Sequence, residues 1–262
     1  MTNLIKRRIQ EINEKGYSID LGTIIEKSFE NYKKVVLKAT VAILLLFALI
    51  MAIALTASGY LYSSGKFSED MAGFDITSFS TPYIIGYIAV IALISGIMAP
   101  FTAGLLKMCY AAAHDEEVEV SFMFSYYSGP YFSRLFFSGI LISLLNACIT
   151  TALEFTIVPF AGTVLSLIVS LGTLLVIPLI IFGDLTIGDA IKNSVSIVLK
   201  GFFMILLIYI IAAIGAMLGL FAFCIGILFT MPFLYCVIYT LYEQIVGTDA
   251  TSEIDEIGSS DF

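Results

Sequence analysis

LFFSGILISLLNACITTALEFTIVPFAGTVLSLIVSLGTLLVIPLIIFG, residues 135–183, runs for 49 residues with one charge, Glu154. As a single α-helix this stretch would be about 74 Å long, whereas the hydrocarbon of a bilayer is about 30 Å thick. It must fold back, and Val158-Pro159-Phe160-Ala161-Gly162 is the obvious turn. Two membrane spans result, residues 135–157 and 163–183. The same arithmetic splits residues 201–242, which are uncharged and would reach about 63 Å as one helix. A turn near Gly215–Gly219 makes spans five and six. Upstream, residues 39–62 and 81–106 are also free of charge and form spans one and two, with Pro100 inside the second.

Composition agrees. Of 262 residues, 59% are hydrophobic and 13% charged, and mean hydropathy is +0.99, where a soluble chain carries about 25% charged residues. The expected fold class is therefore all-α: a polytopic helical membrane protein with about six transmembrane helices. An N-terminal signal peptide is not expected, because the first apolar core lies behind a long polar segment. The expected division is a cytoplasmic N-terminal segment (1–38), one six-span membrane domain (39–242) and a solvated acidic tail (243–262) with six acids and no base.

Lysine and arginine orient the spans, since their excess marks the cytoplasmic side. Eight precede span one: Lys6, Arg7, Arg8, Lys15, Lys27, Lys33, Lys34 and Lys38. Lys107 and Arg134 lie in the loop between spans two and three, and Lys192 and Lys200 between four and five. The opposite face holds only Lys66, beside Glu69, Asp70 and Asp75. Both termini are thus expected in the cytoplasm. Tryptophan is absent, so tyrosine must form the interfacial belt, with Tyr60, Tyr62 and Tyr83 outside and Tyr110, Tyr239 and Tyr242 inside.

Residues 20–36 carry Leu21, Ile24, Ile25, Phe29, Tyr32 and Val36 at helical spacing, with Asp20 as N-cap. This pattern suits an amphipathic helix lying in the interface. Gly188, Ile191, Ser194 and Lys200 match Gly22, Ile25, Ser28 and Lys34 at a constant offset of 166. With the aromatic segment 118–134 before the middle pair of spans, this gives three units, each an interfacial helix followed by a helical hairpin.

Few residues offer chemistry. Asn146, Thr150 and Glu154 share one helix face, and Glu154 is the one ionisable group within a span, a costly placement that marks a candidate polar site. Gly215 and Gly219 match a small-xxx-small packing pattern, as do Ala92–Gly96 and Ala99–Ala103. Gly183-Asp184 and Gly188-Asp189 lack the pattern of an intramembrane aspartyl protease, and Ser95-Gly96 and Ser138-Gly139 have no intramembrane histidine to activate them. His114 is the one histidine, and the cluster His114, Asp115, Glu116, Glu117 and Glu119 reads as a solvated loop before a cation site. Three of the four cysteines fall in apolar segments and read as small buried hydrophobes. No catalytic residue, cofactor, metal or nucleic-acid partner is expected.

The run Ile177-Pro178 through Asp189-Ala190-Ile191-Lys192-Asn193-Ser194, then Lys200-Gly201 and an apolar hairpin containing Pro232-Phe233 and Tyr239, resembles bacterial membrane proteins described as the membrane domain of glycerophosphoryl diester phosphodiesterase. Residues 20–32 resemble their amphipathic leader. The resemblance implies a bacterial cytoplasmic-membrane protein without the phosphodiesterase catalytic domain. The expectation is a non-enzymatic accessory or scaffold subunit whose partners are the bilayer and other membrane proteins; the alternative is a transporter or lipid-handling protein using the polar face of span three.

Overall fold

The structure is a computed structural model that describes residues 2–63, 81–154, 161–217, 219 and 226–247. Its regular elements are helices: α1 (Thr2–Lys15), α2 (Leu21–Ser63), α3 (Thr81–Ala113), a 3-10 turn (Val120–Phe124), α4 (Phe132–Glu154), α5 (Ala161–Gly172), α6 (Val176–Ile181), α7 (Ile187–Lys200), α8 (Phe202–Met217) and α9 (Gly226–Ile245). Four segments among the described residues are long and apolar enough to cross a membrane: 21–53, 85–113, 132–151 and 162–181. A fifth arises if the bent pair α7–α8 is one span. Six were expected. The difference lies in the last hairpin, where the described part of α8 is 16 residues, or about 24 Å, and Glu243 and Gln244 lower the hydropathy of α9.

Two sub-bundles meet at one end. α2 packs on α9 and α9 on α8, while α3 packs on α4 and α4 on α5; α3 also meets α2 and α9. On α2 the buried residues Ile24, Ser28, Asn31, Val35, Ala39 and Ala42 form one stripe at spacings of three or four, the seam of a helix packed along its partners. Beyond that stripe the packing stops. Every described side chain from Phe47 to Thr56 is exposed. Leu45, Phe47, Leu49, Ile50, Ile53 and Leu55 are 46–65% exposed. Half-exposing six such side chains to water would cost roughly 5–9 kcal/mol, comparable to the whole stability of a domain. Hydrocarbon removes the cost.

Three expectations need correction here. The amphipathic leader is not a separate interfacial helix, because α2 continues unbroken from Leu21 to Ser63. No proline occurs in α2 and no glycine lies between Gly22 and Gly59, so nothing ends the helix at the membrane boundary. The middle segment is a 3-10 turn followed by turns through Gly129-Pro130 rather than an amphipathic helix. Only α7 keeps the expected form, and it meets α8 at a bend of 96° around Gly201. Boundaries shift as well. α8 runs to Met217, so the last turn follows Gly215, and α9 carries Glu243 through Ile245, so that the acidic tail starts later than residue 243. Residues 158–160, 64–80 and 248–262 lie outside the described residues.

Helix α1 was not foreseen. Ile5, Ile9 and Ile12, spaced i, i+4, i+7, bury its inner face, and α1 packs on α7. Tyr17 Oη donates to Ile197 O at 2.6 Å, Ser196 Oγ donates to Asn13 Oδ1 at 2.7 Å, and Lys200 Nζ donates to Ile12 O at 3.2 Å and to Asn13 O. The Tyr17 hydroxyl occupies the space a Cβ on Gly201 would need. Burial pushes the Tyr17 phenol up to about 12, so it is a neutral donor at physiological pH.

The two serine–glycine pairs meet each other where α3 crosses α4. A Cβ on Gly139 would lie 2.5 Å from Ser95 O, and one on Gly96 would lie 3.0 Å from Phe136 O. Their role is close helix approach. Gly139→Val should therefore lower the melting temperature in detergent, by an amount corresponding to about 1–3 kcal/mol of overpacking. Gly86→Ala, which adds a Cβ into open space, should leave it unchanged; equal effects of the two would contradict the crossing.

Candidate functional site

The candidate polar face lies on α4. Asn146 and Thr150 are half-buried there, and Glu154 is the last described residue of the helix, its side chain lying outside the description. Asn146 Nδ2 donates to Ile142 O at 3.1 Å, which satisfies one end of the amide along its own helix. Asn146 Oδ1 is buried without a hydrogen-bond partner among the described residues. An amide oxygen left so is costly and suits a ligand or water better than lipid.

A second concentration of polar groups lies at the end of the bundle where α3 terminates, built from paired bases and aspartates. Asp115 follows the C-terminus of α3 at φ +56°, and Asp184 follows α6 at φ +48°. Left-handed backbone is strained for residues other than glycine, though aspartate tolerates it better than most. Each is held from another element: Lys34 Nζ donates to Asp115 Oδ1 at 2.6 Å, and Arg134 Nη1 donates to Asp184 Oδ1 at 2.7 Å. Lys34 also donates to Ala112 O at 2.9 Å, and Lys38 donates to Val118 O at 2.5 Å. Lys34 therefore meets a carbonyl oxygen where α3 ends, the negative end of its dipole, while Lys38 meets one in the loop that follows.

The second repeat element does the same. Lys200, matched to Lys34 at the offset of 166, holds the carbonyls at the C-terminus of α1. Ser28 and Ser194, the matched serines, are both fully buried. Ser28 Oγ donates to Cys236 O at 3.5 Å; Ser194 Oγ donates to Gly172 O at 2.6 Å and accepts from the Leu175 N–H at 3.2 Å, satisfying backbone at the break between α5 and α6. Asp20 and Thr186 cap α2 and α7. Asp20 accepts from the Gly22 N–H and Thr23 Oγ1, which hold its carboxyl below the usual range. Thr186 Oγ1 accepts from the Asp189 N–H at 3.3 Å and donates to Asp189 Oδ2 at 2.9 Å.

An aromatic cluster fills the junction of α3, α6 and α9. Tyr110 stacks on Phe182 at 5.4 Å and meets Tyr239 edge-on at 6.1 Å, while Phe182 reaches Tyr242 at 5.6 Å. His114 stacks over Tyr110 at 4.2 Å, with Nδ1 2.9 Å from Tyr110 O. Tyr239 Oη donates to Glu243 Oε1 at 2.8 Å. Tyr239 and Tyr242 are completely buried, which corrects their assignment to a lipid-facing belt; the side chains of Tyr60, Tyr62 and Tyr83 lie outside the description. Lys107 of α3 sits over the rings of Phe122 and Tyr126 from the loop that follows, at 4.7 and 5.8 Å, and burial raises the Tyr126 phenol to about 12.

The remaining sequence candidates separate. Asp184 and Asp189 serve an ion pair and a helix cap, not one shared site. Gly215 and Gly219 face α9, where a Cβ would meet Phe233 Cε1 at 3.3 Å and the Gly226 backbone respectively. Cys109 and Cys236 are buried, but Cys148 is exposed, contrary to its expected burial; Cys224 lies outside the described residues. No group of three metal-ligating side chains occurs among the described residues.

These features define an all-helical, multi-pass membrane protein. Compared with protein-family models, with curated proteins and with solved structures, the chain gives no match.

The Asp115 latch yields a pH dependence. Lys34, by hydrogen bond and by charge, holds the Asp115 carboxyl below the usual carboxylate range. A depressed folded-state value stabilises the fold above the unfolded value, about 3.9, and this contribution is lost as pH falls through the folded value. In detergent, wild type should melt higher than Asp115→Asn at pH 7, and the gap should close as the solution is taken below pH 4. A gap constant down to pH 2 would exclude the latch.

Proposed function

We propose that the chain is a non-enzymatic accessory or scaffold subunit of a larger assembly in the bacterial cytoplasmic membrane, with both termini inside. One observation carries this reading: α2 buries a continuous stripe from Ile24 to Ala42, yet every described side chain from Phe47 to Thr56 is exposed. A span whose inner half is fixed by its own chain and whose outer half is bare offers a rigid post to the helices of another membrane protein. Twelve of the thirteen lysines and arginines lie on the side assigned to the cytoplasm, and the resemblance of residues 177–239 to the glycerophosphodiesterase membrane-domain group fits the same compartment. Purification from native membranes in mild detergent should retain a stoichiometric membrane partner. Replacing Phe47, Ile50 and Leu49 together by alanine should release most of it without lowering the yield of folded chain. Repeated recovery of the wild-type monomer alone would refute the proposal.

A second reading rests on Asn146 Oδ1, buried and unpaired on the face shared with Thr150 and Glu154. On this reading the protein handles a lipid or polar solute along α4. Copurified lipid identified by mass spectrometry in place of a protein partner, together with loss of that lipid in Glu154→Gln and Asn146→Leu, would favour it over the scaffold.

A further inference from the structure

We infer that Lys107 and the aromatic loop beside it hold the phosphate of one anionic phospholipid headgroup at the membrane edge of α3. Lys107 is the one charged residue of α3, and it falls within residues 85–113, a segment long and apolar enough to cross a membrane. The loop that follows does not lead away from the helix but runs back along it. Met123 is fully buried against Gly104, where a Cβ would collide with the Met123 backbone, and Tyr127 Oη donates to Ile97 O at 2.8 Å. Aromatic rings are thereby laid beside the half-buried ammonium, Phe122 at 4.7 Å and Tyr126 at 5.8 Å.

Charge balance carries the inference. Nearby bases are matched: Lys34 with Asp115, Lys38 with Glu117, and Arg134 with Asp184. Among the described residues no carboxylate is paired with Lys107. Ring faces attract a cation but leave its charge uncompensated, and beside hydrocarbon an uncompensated ammonium is costly. A lipid phosphate supplies the missing charge at that depth. The surroundings suit it. Tyr126 meets Tyr131 edge-on at 6.1 Å, and Arg134 sits over Tyr131 at 5.7 Å, so the tyrosine pair separates the two cations. Asp184 cancels Arg134, and the Tyr126 phenol, raised by burial to about 12, adds no negative charge. One net positive charge remains, which a singly anionic headgroup balances and a zwitterionic one does not. Phe124, 43% exposed, offers an apolar flank to the acyl chains. The site rests neither on the scaffold proposal nor on the polar face of α4, whose Glu154 stands at the opposite end of that helix from Arg134.

The test is native mass spectrometry of the full chain, delipidated in mild detergent and then given phosphatidylglycerol, phosphatidylcholine or sodium phosphate. Wild type should keep one phosphatidylglycerol after collisional activation has stripped the rest, and should keep phosphatidylcholine about fivefold less. Lys107→Gln should lower phosphatidylglycerol retention about fivefold, to the level of phosphatidylcholine. Lys107→Arg, which preserves the charge over the rings, should restore it, and Glu154→Gln should leave it unchanged. Equal retention by wild type and Lys107→Gln would overturn the inference, as would equal retention of the two lipids. Displacement of the lipid by sodium phosphate would assign the site to free phosphate instead. Loss of the lipid in Glu154→Gln would move it to the face of α4.

Discussion

From Phe47 to Thr56 every described side chain of α2 is exposed, and this stretch governs what the rest of the fold must supply. Its backbone is satisfied within the helix, as it must be in hydrocarbon. Thr56 turns its hydroxyl back to the carbonyls of Ala52 and Ile53. Lipid provides no reason for such a helix to stand at any particular angle. Its position is fixed from one end, by the stripe from Ile24 to Ala42 against α9, by Lys34 against the end of α3 and by Lys38 against the loop that follows. Stability and orientation of the membrane half are therefore both set at that end.

This end of the bundle also shows how lysines can join helices. Lys34 and Lys200 each place an ammonium on carbonyls at the C-terminus of another helix, and Arg134 and Lys34 each hold an aspartate in left-handed backbone. A point charge on a flexible stem can reach several acceptors at once. These charges thus join elements distant in sequence: α2 to α3, α7 to α1, and α4 to the loop after α6.

Much of this was legible in the residues. Long uncharged runs announced the membrane class, because no other solvent accommodates 49 residues with one charge. Asp20 was readable as a cap, and Ser28 and Ser194 as equivalent positions. Other features left no trace. Separating an interfacial helix from a span required knowing that residues 23–58 contain neither glycine nor proline to divide them, a signal present but outweighed by the change from amphipathic to uniformly apolar pattern. α1 could have been found from Ile5, Ile9 and Ile12. Tyr17 and Gly201 could not, since neither position is unusual until the two are in contact. At Glu154 the description ends before the side chain that matters most to the polar face.

The dock between α1 and α7 joins Tyr17 to a carbonyl 180 residues further on. On a ribosome adding about 5–20 residues per second, that gap corresponds to roughly 9–36 s of synthesis. Throughout this interval the greasy side of the first helix has no surface of its own to rest upon. During manufacture, then, the leading segment is an unclaimed amphipathic end, open to the bilayer or to a chaperone, and only the arrival of the elbow retires it.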